Sequence, residues 1–217
     1  MPIVIGHGLI VVDNYYKVQI TNNEYTNNQF TFMIIIGITG TLGAGKGTIV
    51  EYLVKNKAFA HYSVRDFLIR EIQKRGLKVN RDQMVIVANE LRAAHSPSFI
   101  VEELYGEALA SGNDCVIESI RTPGEVLALR KKGNFSLLAV DAKAHLRYDR
   151  VVLRNSETDR ISFETFLANE EREMSSEDPN KQNLGKCIAM ADFVLSNNGN
   201  FKDLFRQLEL VLDKIFK

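Results

Sequence analysis

From Met33 onward, short unbroken apolar runs alternate with longer stretches in which apolar residues recur every three or four positions. Such alternation predicts an α/β domain whose parallel sheet is covered by helices. The first run, "MIIIGIT", has no polar face, as a strand buried on both sides requires. "AFAHYS", "DCVIES", "FSLLAVDA" and "DFVLSN" read as four further strands, giving five in all.

The helical stretches lie between them. After the first strand, Ile49, Val50, Leu53 and Val54 repeat at helical spacing and predict one buried stripe. Phe67, Leu68 and Ile72 mark a second helix that ends near Gly76. "RDQMVIVANELRAA" and "SFIVEELYGEALAS" are two amphipathic helices separated by Pro97. Thr122, Pro123 and Glu125 spell a helix start, with an N-cap, a proline in the first position and a glutamate three after the cap. Residues 144–174 read as two helices around the polar connection "RNSETDR". The last helix repeats Phe201, Leu204, Phe205, Leu208, Val211, Leu212 and Ile215, a stripe suited to covering the sheet.

Residues 1–32 differ. "TNNEYTNNQFTF" is rich in Asn and Thr, and the segment has few helix formers. Its apolar runs suggest short strands, a hairpin added to the sheet or a loosely held extension, and Met33 is itself a candidate start. The predicted organisation is an N-terminal extension (1–32) and one domain (33–217).

Composition narrows the function classes. Twenty-seven basic residues balance 27 acidic ones, which removes any global argument for nucleic acid or anionic membrane as partner. Cys115 and Cys187 have no metal-ligand spacing and are too few for a disulfide framework, which fits buried thiols in a cytoplasmic protein. No apolar run approaches the ~18 residues of a membrane span. The four histidines show no zinc-site spacing, and no G-x-S-x-G marks a hydrolase nucleophile.

The chemistry concentrates at "GTLGAGKGT", residues 40–48, between the first strand and its helix. Gly40, Gly43 and Gly45 let main-chain N–H groups approach phosphate oxygens, and the helix N-terminus adds partial positive charge. Lys46 is placed to reach the β- and γ-phosphates of ATP. Gly47 departs from the general P-loop, G-x-x-x-x-G-K-[ST], by lacking the hydroxyl that ligates Mg²⁺. The metal would then be held through phosphate oxygens and water, which Mg²⁺ tolerates because it dehydrates reluctantly.

The loop resembles that of adenylate kinase and related nucleoside monophosphate kinases, G-x-P-G-x-G-K-G-T, in which glycine after the lysine is normal. Leu42 stands at the proline position. "HYSVRDFLIRE" is similar to the family's S-T-G-D-x-x-R segment: Ser63 and Asp66 match, Arg65 replaces the glycine, and Arg70 falls one residue late. "VIESIRTPGEV" resembles D-G-F-P-R-T, with Glu118 for Asp and with Arg121 and Thr122 matching. "ADFVLSNNGNFKDLFRQLELVL" is similar to the C-terminal part of dephospho-coenzyme A kinases and archaeal adenylate-kinase-like proteins.

The resemblance implies a three-layer P-loop fold and an ATP- and Mg²⁺-dependent kinase acting on small nucleotides. It places Gly40, Thr41, Leu42, Gly43, Ala44, Gly45, Lys46, Gly47, Thr48 and Arg147 at ATP. Ser63, Asp66, Arg70, Arg92 and Arg121 would bind the acceptor monophosphate. Lys46, Arg121, Arg150 and Arg154 would act in transfer, and Glu118 would hold the metal through water, with Asp141 as a rival. Arg147, Arg150 and Arg154 share a helix face, and with Arg160 they predict a short lid over about residues 147–161. Plainer readings stand beside these. Arg70 and Arg92 suit solvated helix charge, Ser63 with Asp66 suits a helix cap, and the lid arginines have Asp149, Glu157 and Asp159 nearby as salt-bridge partners. Glu118 likewise suits a salt bridge with a neighbouring cation. The alternatives to a monophosphate kinase are a dephospho-coenzyme A kinase and a nucleotide-binding regulator or slow ATPase. The nucleobase and the oligomeric state are not legible.

Overall fold

β1 (Ile35–Gly40) is buried at every residue and lies at the centre of a five-stranded sheet. The computed structural model describes residues 33–154 and 161–217; the N-terminal extension and most of the polar connection of the expected lid fall outside them. The strand order is β2-β3-β1-β4-β5, with β2 (Ala60–Ser63), β3 (Cys115–Glu118), β4 (Phe135–Asp141) and β5 (Phe193–Ser196) all parallel to their neighbours.

Alternate strand residues feed two cores, which is why the runs lack a polar face. Ile35, Cys115, Ile117 and Leu137 pack against α2 (Val64–Lys74), α3 (Arg81–Ala94), α4 (Phe99–Ser111), α5 (Pro123–Arg130) and α8 (Leu184–Ala189). Ile36, Ile38, Val116, Leu138 and Val140 pack against α1 (Lys46–Lys57) and α9 (Phe201–Ile215). α6 (Ala144–Arg154) and α7 (Phe163–Met174) complete the described elements. The expected three-layer α/β P-loop fold is therefore present. No helix among the described residues is long and apolar enough to cross a membrane.

Local sequence sets the helix ends. Thr122 and Glu125 form the expected capping box with Pro123 at the helix start. Ser63, Asn80, Ser162 and Asn200 cap α2, α3, α7 and α9 through their side chains.

Two expectations need correction. Val54 is 40% exposed, because three residues of α1 (Ile49, Val50 and Leu53) already span the buried stripe. Phe201, at the start of the α9 stripe, is 63% exposed and borders a cleft instead of covering the sheet. α8 was not legible at all, since six residues are too few to show a 3.6-residue period.

β1 pairs with β3 on one side and β4 on the other, so the loop after Gly40 emerges where the chain order reverses. Open parallel sheets bind ligands at the carboxyl ends of strands at such a point.

Candidate active site

The loop's shape is imposed by its neighbours. Gly43 (φ 78°) and Gly45 (φ 107°) adopt left-handed angles that a side chain disfavours. A Cβ on Gly43 would collide with the Arg147 carbonyl, and one on Gly45 with the Asn197 amide. Gly47 is different: nothing lies within 4 Å of a Cβ built there. The backbone therefore does not require that glycine, and the position simply lacks a hydroxyl. Gly45 supplies no side-chain cap, and α1 has no acidic residue in its first turn, so its N-terminus is open to an anion. Lys46 Nζ folds back on the loop, donating to the carbonyls of Gly40 (2.8 Å) and Thr41 (2.9 Å).

A cavity of about 470 Å³ extends from this loop to α2 and α3. Leu42, Gly43, Gly45, Lys46, Gly47 and Thr48 line one end. Val64, Leu68, Met84, Val85 and Ala88 form an apolar wall at the other. Among the described residues, the lining also holds Lys46, Arg65, Arg81, Arg92, Arg121, Arg150 and Arg154, against two lining carboxylates, Glu118 and Glu173, with Glu125 compensating Arg92 from behind the wall. Such an excess of cations in a concave site suits a polyanionic ligand.

Several expected residues thus come together here: the loop, Lys46, Arg92, Glu118, Arg121, Arg150 and Arg154. Thr41 and Ala44 are buried beneath the loop and do not line the cleft. Neither does Gly40, whose carbonyl holds Lys46.

Others lie elsewhere. Arg70 is half-exposed, pairs with Glu107 of α4 at 3.1 Å and sits over the Phe67 ring. Asp66 is exposed, and its backbone N–H is capped by Ser63 Oγ at 3.1 Å. Ser63 also lies 3.3 Å from Glu118 Oε1, behind the cleft wall. Arg147 is buried behind the loop, donating to the Ala142 carbonyl (2.7 Å) and pairing with Glu170, so it braces the loop from outside the cleft. Asp141 is exposed beyond the lining. Of the expected lid, Arg160 falls outside the described residues. Arg150 is held by the Asn197 carbonyl at 2.8 Å.

Arg92 combines two features. Its Nε and Nη2 donate to Glu125 Oε1 (3.2 and 2.7 Å) in a fully buried pair, while its Nη1 is buried without a hydrogen-bond partner.

Arg65, Arg81, Ser119, Glu173, Gln182, Asn197 and Phe201 also line the cleft, a role not expected for them from the sequence. Arg65 was noticed only as a departure from a motif. Arg81 lies on the apolar-stripe face of α3 with Met84, Val85 and Ala88, and that spacing was a usable signal.

Charge states follow from this packing. Burial pushes the Lys46 ammonium down to about 7, and Arg121 adds repulsion that Glu118 and Glu173 only partly offset. Burial alone would raise Glu118, but His61, Lys46 and Ser63 outweigh it and hold the carboxyl below its ordinary value. Glu118 is therefore an anion beside the loop, with His61 Nε2 at 3.7 Å. Among the described residues, no group of three or more His, Cys, Asp or Glu could hold a metal ion by itself.

Comparison with known proteins agrees with this architecture. Residues 36–176 match the AAA-domain model AAA_18. A UPF0200 protein of Methanococcus maripaludis is 31% identical over 188 residues, spanning 85% of this chain and 99% of that protein. A UPF0200 protein of Methanocaldococcus jannaschii is 31% identical over 186 residues, spanning 84% and 91%. The crystal structure of TT1252 from Thermus thermophilus superposes with a TM-score of 0.51 at 24% identity, covering 85% of this chain and 98% of that one, a likeness of fold.

Proposed function

This chain belongs to the UPF0200 family and carries an AAA-domain P-loop, and from that premise we propose that residues 33–217 transfer the terminal phosphoryl group of ATP to a nucleoside or deoxynucleoside monophosphate. The observation that carries the reading is a continuous cleft joining the loop to an arginine-lined apolar slot between α2 and α3.

Phosphoryl transfer needs positioning and charge neutralisation more than covalent chemistry by the protein. At the donor end, the N–H groups of the loop and α1 receive phosphate oxygens, and Lys46 exchanges its two loop carbonyls for them. Phe201 offers an exposed ring face at the mouth, where a nucleobase can stack. At the acceptor end, Val64, Leu68, Met84, Val85 and Ala88 receive the flat organic part, and Arg65, Arg81 and Arg92 stand around it. Arg121 and Arg154 also line the cleft and are suited to the oxygens of the group in flight.

The residues fit Mg²⁺ carried in with the nucleotide. Gly47 offers no hydroxyl, and Glu118 is an ionised carboxylate beside Lys46, able to hold a metal-bound water. The ion, when bound, would shield the phosphate charge.

A dinucleotide of two nucleosides joined by five phosphates tests the two-ended cleft by calorimetry. Filling both ends with one molecule should bind it at least about 100-fold more tightly than ATP. Affinity equal to that of ATP would instead indicate one nucleotide site, as in a slow ATPase.

A further inference from the structure

Glu173, near the end of α7, is 5% exposed and faces the cleft. Its two oxygens serve two different arginines: Oε1 accepts from Arg81 at 2.5 Å, and Oε2 from Arg121 at 2.6 Å. Arg121 also donates to Gln182 Oε1 at 2.8 Å. All four side chains line the cavity, and Arg81 Nε is buried there without a hydrogen-bond partner. Burial would raise the Glu173 carboxyl, but Arg121 and Arg81 hold it below its ordinary value, so it is an anion at neutral pH.

We propose that Glu173 is a displaceable internal occupant of the acceptor's anion subsite: it holds Arg81 and Arg121 while the cleft is empty, and an incoming phosphomonoester dianion takes both guanidinium groups from it. The location of the acceptor rests on the function proposed above.

The chemistry sets what can win that exchange. Glu173 brings one charge and two oxygens; a phosphomonoester brings up to two charges and three oxygens. The unpartnered Arg81 Nε gives the third oxygen a donor that the carboxylate leaves unused. A carboxylic acid offers nothing that Glu173 does not already supply. The subsite therefore selects phosphorylated acceptors over carboxylate-bearing ones. The internal competitor also weakens apparent affinity by the fraction of sites it holds.

The test uses the full chain with the loop filled by saturating Mg·ADP and titrates inorganic phosphate, read by NMR of the arginine side-chain Nε–H signals. Glu173→Gln removes the competing charge; Glu107→Gln, the exposed partner of Arg70 outside the cleft, is the control. Phosphate should bind Glu173→Gln at least about tenfold more tightly than wild type, with Glu107→Gln unchanged and acetate unable to compete. Equal or weaker binding to Glu173→Gln, or competition by acetate as effective as by phosphate, overturns the proposal. Should Glu173→Gln not fold, the carboxyl ¹³C signal of Glu173 in the wild-type protein decides: it must shift as phosphate saturates, and an unmoved signal at saturation is equally fatal. None of these readouts needs turnover. Phosphate capture without phosphorylation of any monophosphate would refute only the kinase reading, and turnover with no change in Glu173→Gln would refute only this one.

Discussion

The side-chain amide of Asn197 donates to the carbonyl of Ala44 at 2.8 Å, tying the chain just after β5 to the phosphate loop. Asn197 is nearly fully buried, its own N–H donates to the Asp141 carbonyl (2.7 Å), and its carbonyl accepts from Arg150 (2.8 Å). One residue thus fixes the loop, the end of β4 and α6 together. The loop is held in shape by its surroundings before any phosphate arrives.

That packing separates two glycines. Gly45→Ala places a Cβ against the Asn197 amide at a left-handed φ of 107°. It should cost at least about 2 kcal/mol in urea unfolding and abolish nucleotide binding. Gly47→Ser meets open space within α1 and should stay within about 1 kcal/mol of wild type. Equal losses for the two would contradict the assigned loop geometry.

Lys46→Ala should lower kcat for phosphoryl transfer by at least about 100-fold while the circular-dichroism melt stays close to wild type. Among the described residues the ammonium donates to two loop carbonyls, which remain beside a cleft that water can enter. Full activity in this variant would remove the loop from the mechanism.

The lowered Lys46 pKa gives a signed prediction. With its value near 7 in the free protein, Lys46 is mostly neutral at pH 8. Bound phosphates add negative charge and favour the ammonium form. Nucleotide binding at pH 8 should therefore take up close to one proton, seen as a buffer-dependent binding enthalpy in calorimetry. Lys46→Arg, charged throughout, should show no such uptake.

Glu125 is fully buried and does not line the cleft, which makes it a folding determinant. It accepts from Arg92 and from the backbone N–H groups of Arg121 (2.8 Å) and Thr122 (3.1 Å). Glu125→Ala leaves the Arg92 charge buried and uncompensated and should cost about 3–5 kcal/mol in urea unfolding.

Much of the fold was legible because local patterns carry it. α3 begins and ends where "RDQMVIVANELRAA" does, and every strand follows an apolar run. The capping box of α5 was readable from three residues, though nothing local revealed that its Glu125 also anchors Arg92, 33 positions away. The loop was legible for the same reason as α3. The slot between α2 and α3 was not. Arg70 and Arg65 are equally charged neighbours on α2, and only the packing of α2 against α3 and α4 decides which faces the cleft. Glu173 meets Arg121 across 52 positions and Arg81 across 92, contacts with no local signature.

Passage of phosphate from ATP to a monophosphate in this cleft has a direct assay. Incubating the full chain with radiolabelled [γ-³²P]ATP, Mg²⁺ and, in turn, AMP, CMP, dCMP, UMP, GMP or dephospho-coenzyme A tests it most directly. A labelled nucleoside diphosphate should form with at least one monophosphate, and none with Lys46→Ala. Label only in free phosphate, or only in the product of dephospho-coenzyme A, would contradict it.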